Sequence, residues 1–173
     1  MDITRFKAVF IVFACLLAAG CLPKTPDVVP VFYQSMAVVD AQVDQQVAAQ
    51  MISQYRANNG LGPVTVDPAL GAIVLSQARA MAKAGSVKAS LAKNQLLSAR
   101  MAAIGEPGTY AVENVSGGYR TLANAFSGWR DSPKHNAVML DSKATRLGIA
   151  TAYSPRAKHK VFWSLVMAAP KQQ

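Results

Sequence analysis

The chain has 173 residues, a net charge of +9 and a hydrophobic share of 51%. That is enough for one domain with a real core. There are two cysteines, Cys15 inside an apolar N-terminal stretch and Cys21 just after it, so the remainder of the chain has neither a disulfide nor a thiol nucleophile.

Arg5 and Lys7 precede an apolar stretch that opens at Ala8 and closes on Leu17-Ala18-Ala19-Gly20-Cys21. A charged start, a short apolar run and small residues at its end are the parts of a secretion signal, and the run is too short for a spanning helix. Leu-Ala-Ala-Gly-Cys resembles the lipobox of bacterial lipoproteins, in which the cysteine thiol is acylated and the chain is cut before it. The resemblance implies a signal peptide over residues 1–20, lipidation at Cys21, and a domain held outside the cytoplasm with the membrane as its partner. One acyl chain anchors marginally at about 0.8 kcal/mol per buried methylene, and the lipoproteins it resembles carry more than one. Leu22 is not the aspartate that retains some lipoproteins at an inner membrane, which implies the outer membrane if the organism has one. An exported chain is not expected to meet nucleic acid. Its positive charge suits anionic lipid or wall polymer, or serves only solubility, since the lysines are scattered.

Pro23, Pro26 and Pro30 make a short, semi-stiff tether, so residues 21–40 are read as lipidated N-terminus plus tether and residues 41–170 as the domain. Val43, Val47, Met51 and Tyr55 recur every four residues, with Ala48 and Ile52 beside them, and predict a helix ending at Asn58-Asn59-Gly60. Asp67-Pro68 opens a second helix, with Asp as N-cap and Pro in the first turn. Its expected buried stripe is Leu70, Ile73, Val74, Ala78 and Met81, and Gly85 stops it. Residues 85–95 read as irregular. Leu97, Met101 and Ile104 mark a third helix closed by Gly105.

Residues 110–115 predict a short strand broken at Gly117-Gly118. Leu122, Phe126 and Trp129 have helical spacing and read as core, and Ser132-Pro133 restarts a short helix. Residues 146–153 and 160–168 are strand-like around a turn at Ser154-Pro155, with apolar side chains on both faces. A sheet covered on both sides follows, and with the helices it predicts an α/β chain, a three-layer α-β-α sandwich with a mainly antiparallel sheet.

Several segments then resemble the SCP domain of the CAP superfamily, the cysteine-rich secretory, antigen 5 and pathogenesis-related proteins. They are Arg56-x-x-x-Gly60-Leu61 with Val64, Asp67-Pro68-x-Leu70, Ala78-x-Ala80-Met81-Ala82, Glu113-Asn114-Val115, Leu147-Gly148-Ile149-Ala150 and Phe162-Trp163. Trp129-x-x-Ser132-Pro133-x-His135-x-x-x-Met139-Leu140 resembles the bacterial form Trp-x-x-Ser-Pro-Gly-His-Arg-x-Asn-Ile-Leu. The likeness runs from about residue 45 to residue 168 and implies the same three-layer fold. Fuller members carry two histidines and two acids in a cleft, and some hold a divalent metal there. Glu113 matches one acid and His135 one histidine, but residues 85–91 offer no second histidine, and Ser132 stands where the other acid is expected, beside Asp131.

Glu113, Asn114, Ser132 and His135 are therefore the candidate cleft residues, with Glu113 and His135 the catalytic candidates. One histidine and one carboxylate are too few for a metal, so no metal or cofactor is expected. His159, between Lys158 and Lys160, reads as a solvated turn residue. No Gly-x-Ser-x-Gly elbow occurs, and Ser132 is better explained as a helix cap. Glu113 and His135 are expected to meet, either as a hydrogen-bonded strut or in a ligand cleft. The functional expectation is a non-catalytic, envelope-anchored binding module for lipid, cell-wall glycan or peptide. The alternatives are a peptidase-like hydrolase using Glu113 and His135, or a purely structural envelope protein.

Overall fold

A computed structural model describes residues 28–171. The secretion signal, Cys21 and the first part of the tether lie outside the described residues. Five α-helices and four strands follow in the order α1 (Gln45–Ala57), β1 (Thr65–Val66), α2 (Pro68–Ala84), α3 (Leu97–Ala103), β2 (Ala111–Gly117), α4 (Leu122–Arg130), α5 (Pro133–Met139), β3 (Arg146–Tyr153) and β4 (Val161–Ala168). The strands form one sheet in the order β1-β3-β4-β2. β4 runs antiparallel to both neighbours, while β1 pairs with β3 in parallel, so the sheet is mixed. Among the described residues no helix is long and apolar enough to cross a membrane.

The capping signals work as the residue types dictate. Asp67 accepts from the amides of Ala69 (2.8 Å) and Leu70 (3.3 Å), Pro68 opens the first turn, and Gly85 ends α2 at φ 66°. All five residues of the predicted α2 stripe are buried. α2 packs directly on β3, since a Cβ on Gly148 would fall 2.3 Å from the backbone carbon of Leu70. Only glycine allows that approach.

Side chains alternate along β3 and β4 and split the core in two. Leu147, Ile149, Val161, Trp163, Leu165 and Met167 join α1, α4 and α5. Ala150, Val166 and Ala168 join α2 and α3, and Phe162 packs with the end of α2. Trp163 is fully buried, donates its indole N–H to Tyr119 O at 2.8 Å, and meets Trp129 edge-on at 6.2 Å.

Three expectations shift. The α1 stripe is centred on Ala48, Ala49, Ile52 and Arg56, with Val47, Met51 and Tyr55 only partly buried. β2 continues to Gly117, because pairing with β4 extends to Phe162. Part of the tether lies against the domain: Phe32 packs on the core, Met36 is buried, and its amide donates to Arg120 O at 2.7 Å. Burial of these two apolar side chains offsets the cost of ordering that stretch.

Candidate functional site

β2 supplies two of the candidate residues, and strand alternation sends them to opposite faces of the sheet. Glu113 lies opposite Val166 and shares its face with Ala111 and Val115, which pack toward α2 and α3. Asn114 lies opposite Leu165 and faces the α1, α4 and α5 layer.

Glu113 forms an ion pair with Arg100 of α3. The Arg100 side chain is only 4% exposed, and its Nε donates to Gln95 O at 2.9 Å. Behind this pair Ser164 Oγ donates to Gln77 Oε1 at 2.6 Å, and Gln77 Nε2 donates to Gln95 O at 3.3 Å. The carboxylate therefore offsets a buried cation within a polar network between α2, α3 and the sheet.

On the other face Asn114 Nδ2 donates to the backbone oxygen of His135 at 2.9 Å, tying β2 to α5. Asn114 Oδ1 and His135 Nδ1 are both buried, and neither has a hydrogen-bond partner among the described residues. Ser132 occupies the N-cap position of α5, but its side chain makes no cap bond; its carbonyl accepts from Asn136 N at 2.8 Å and its amide donates to Trp129 O at 3.3 Å. Asp131 is bonded to Arg130 at 2.8 Å. His159 is exposed and rests against Gly117 and Gly118 at the end of β2.

The expected pairing of Glu113 with His135 is thus not formed. The structure joins Asn114 to His135 and Glu113 to Arg100, with the sheet between the two groups. A proton relay from acid to imidazole has no path across it. The residues do not fit the family's metal site either: among the described residues no three His, Cys, Asp or Glu side chains cluster to hold an ion.

Residues absent from the sequence-derived site organise the surroundings. Arg56 is 1% exposed and donates to Gly62 O (2.8 Å), Met139 O (2.9 Å), Asp141 O (2.8 Å) and Ala144 O (3.0 Å). It satisfies carbonyls at the end of α5 and holds the loop that leads into β3. Burial pulls its guanidinium below the usual arginine value, and nearby Asp141 pushes it back up. Arg146 bridges Asp67 (2.6 Å) and Glu106 (2.7 Å), and its Nε donates to Ala169 O at 2.9 Å. The bond from Arg146, opposed by burial, holds Glu106 below the usual carboxylate range. Burial pushes the Asp67 carboxyl up, but Arg146 and the amides of Leu70 and Ala69 outweigh it and hold that carboxyl low as well.

Two hollows lie on the surface of the described residues. One lies between α1 and α4, lined by Met51, Gln54, Tyr55, Asn58, Phe126 and Arg130. Its floor is the edge-on contact of Tyr55 with Phe126 at 5.5 Å. The other encloses about 380 Å³ along the outer edge of β3, between α2 and the segment that enters α1.

The family model of the CAP domain, described as the cysteine-rich secretory protein family, matches residues 49–167. The chain belongs to the CAP family. Solved structures agree on the fold. An outer surface protein from Borrelia burgdorferi aligns with a TM-score of 0.62 at 12% identity, covering 76% of this chain and 98% of that one. An extracellular protein containing an SCP domain from Bacillus anthracis aligns at 0.61 and 18% identity, over 72% of this chain and 39% of that one. A cysteine-rich secretory protein from Staphylococcus aureus aligns at 0.54 and 18% identity, over 71% of this chain and 37% of that one. The CAP domain here thus corresponds to under half of the last two proteins. No curated protein matches the sequence.

Proposed function

We propose that this CAP protein is a lipid-anchored, non-catalytic binding module of the cell envelope. The observation that carries the non-catalytic part is the separation of Glu113, neutralised by Arg100, from His135 by the sheet. The anchor rests on Leu17-Ala18-Ala19-Gly20-Cys21 and on the prolines that follow. Leu22 favours the outer membrane in a diderm cell. The extracellular and outer-surface descriptions of the structural neighbours support a domain outside the cytoplasm. Its ligand classes are lipid, wall glycan or peptide, engaged at the surface hollows instead of a catalytic cleft.

The intact mass of the membrane form tests the anchor. A chain beginning at Cys21 and carrying acyl groups is expected, and Cys21→Ser should release the protein or leave it unprocessed. A soluble, unacylated product of simple cleavage refutes the anchor. Turnover of peptide or wall substrates that disappears in a folded His135→Ala variant refutes the non-catalytic reading.

A further inference from the structure

The outer edge of β3 is covered for only part of its length. β1 pairs with it at Arg146 and Leu147 and then ends. The next outward amide, Ile149 N, donates to the side chain of Gln45 at 3.4 Å, the long limit of a hydrogen bond. The two-residue alternation of a strand turns the N–H and C=O of Thr151 and Tyr153 the same way, away from β4. They have no partner there among the described residues. Proteins blunt such edges with charge, proline, a bulge, or a covering helix or loop, and Ile149, fully buried and bonded to Gln45, is covered in the last way. Ile149-Ala150-Thr151-Ala152-Tyr153 contains neither a charge nor a proline, and its pairing with β4 is continuous.

This edge forms the floor of the 380 Å³ hollow. Val39 and Ala41 wall one side, Leu75 and Arg79 of α2 the other, and Pro155 closes an end. A second observation lies in the floor itself. Thr151 is 6% exposed, and its hydroxyl is buried without a hydrogen-bond partner. Arg79 is exposed and has no acidic partner among the described residues.

We propose that the open edge of β3 from Thr151 to Tyr153 is a binding site for an extended peptide segment of a partner protein, which adds to the sheet as a strand with an acidic side chain reaching Arg79. Unpaired main-chain donors and acceptors at strand spacing select a polypeptide backbone over lipid or glycan. A second copy of this chain is disfavoured because its own β3 edge is walled in the same way, and two recessed edges do not close to the roughly 4.8 Å of strand pairing. Residues 22–27 of this chain are disfavoured because Pro23 and Pro26 lack the amides a ladder needs.

The proposal rests on the binding-module reading. Its test reads amide protection on β3, not acylation or turnover, so the two fail separately. A library of random peptides of about eight residues, the length of a strand, is selected on the full chain. Hydrogen exchange is then followed with and without the selected peptides. Thr151 and Tyr153 amides should slow by about tenfold or more, while Ala150 and Ala152, which face β4, stay unchanged. N-methylation of one alternate set of peptide amides should abolish binding, and of the other set should spare it. Failure of every selected peptide to protect Thr151 and Tyr153 overturns the proposal, as does equal binding by both N-methylated sets. Protection without peptide also overturns it: concentration dependence assigns the edge to a second copy, and loss on removing residues 1–27 assigns it to the chain's own segment.

Discussion

Arg56→Met tests whether a buried cation, and not apolar packing alone, holds the loop between α5 and β3. Methionine keeps most of the aliphatic stem and removes every donor. Two of the four carbonyls that Arg56 serves, those of Met139 and Ala144, are in buried bonds, while those of Gly62 and Asp141 are partly buried and can turn to water. An orphaned buried polar group costs about 1–3 kcal/mol, so the two buried carbonyls alone cost about 2–6 kcal/mol. With partial relaxation the expected loss is about 4 kcal/mol, a large share of the 5–15 kcal/mol of a typical domain. Lysine offers three donors from one point and cannot span carbonyls on both sides, so Arg56→Lys should recover roughly half of the loss. Urea unfolding followed by tryptophan fluorescence measures this directly, because Trp129 and Trp163 belong to the core next to α1. A loss under about 1 kcal/mol for Arg56→Met would refute the reasoning, since water would then be replacing the guanidinium at no cost.

Trp163→Ala should cost about 3–5 kcal/mol, because it empties a fully buried site and leaves Tyr119 O without its donor; the same urea melts report it. A double-mutant cycle of Glu113→Gln with His135→Ala should be additive within about 0.5 kcal/mol, whereas a cycle of Arg100→Met with Glu113→Gln should show coupling above that. Acid titration should expose the Arg146 cluster. Asp67 and Glu106 have folded pKa values below their unfolded ones, so their stabilisation is complete above the usual carboxylate range and is lost as pH falls through the folded values. Between about pH 5 and pH 2 the urea midpoint should therefore drop less in Glu106→Gln than in the parent chain.

Much of the fold is legible because its signals are redundant. In α2 the cap, the proline, the period and the terminal glycine all agree, and β3 and β4 carry apolar side chains on both faces. The failures have local causes. Val112 and Val115 flank Glu113 and Asn114 at a separation that puts them on opposite faces, so the apolar pattern gives β2 no parity. One residue of parity decides whether Glu113 meets His135 or Arg100. β1 is two residues long, too short for any period to register. Arg56 falls on the buried stripe through Ala48 and Ile52 by helical spacing, but a charge at that place reads as solvent-facing until the carbonyls it serves are known.

The same arginines change how the positive charge should be understood. The net +9 suggests a basic surface, yet Arg56 and Arg100 are buried and Arg146 nearly so. Arg56 serves main-chain carbonyls, while Arg100 and Arg146 serve carboxylates inside the fold. Arg130 is tied to Asp131. What faces solvent is mostly lysine, spread from Lys83 to Lys171 on several elements. Spread lysines give a diffuse field that salt screens within about 10 Å at 0.1 M, not a bidentate anion site. Under the binding reading proposed above, selectivity comes from shaped features. The open β3 edge supplies fixed main-chain directions, a buried hydroxyl and one arginine in a walled groove, and the scattered lysines offer none of these.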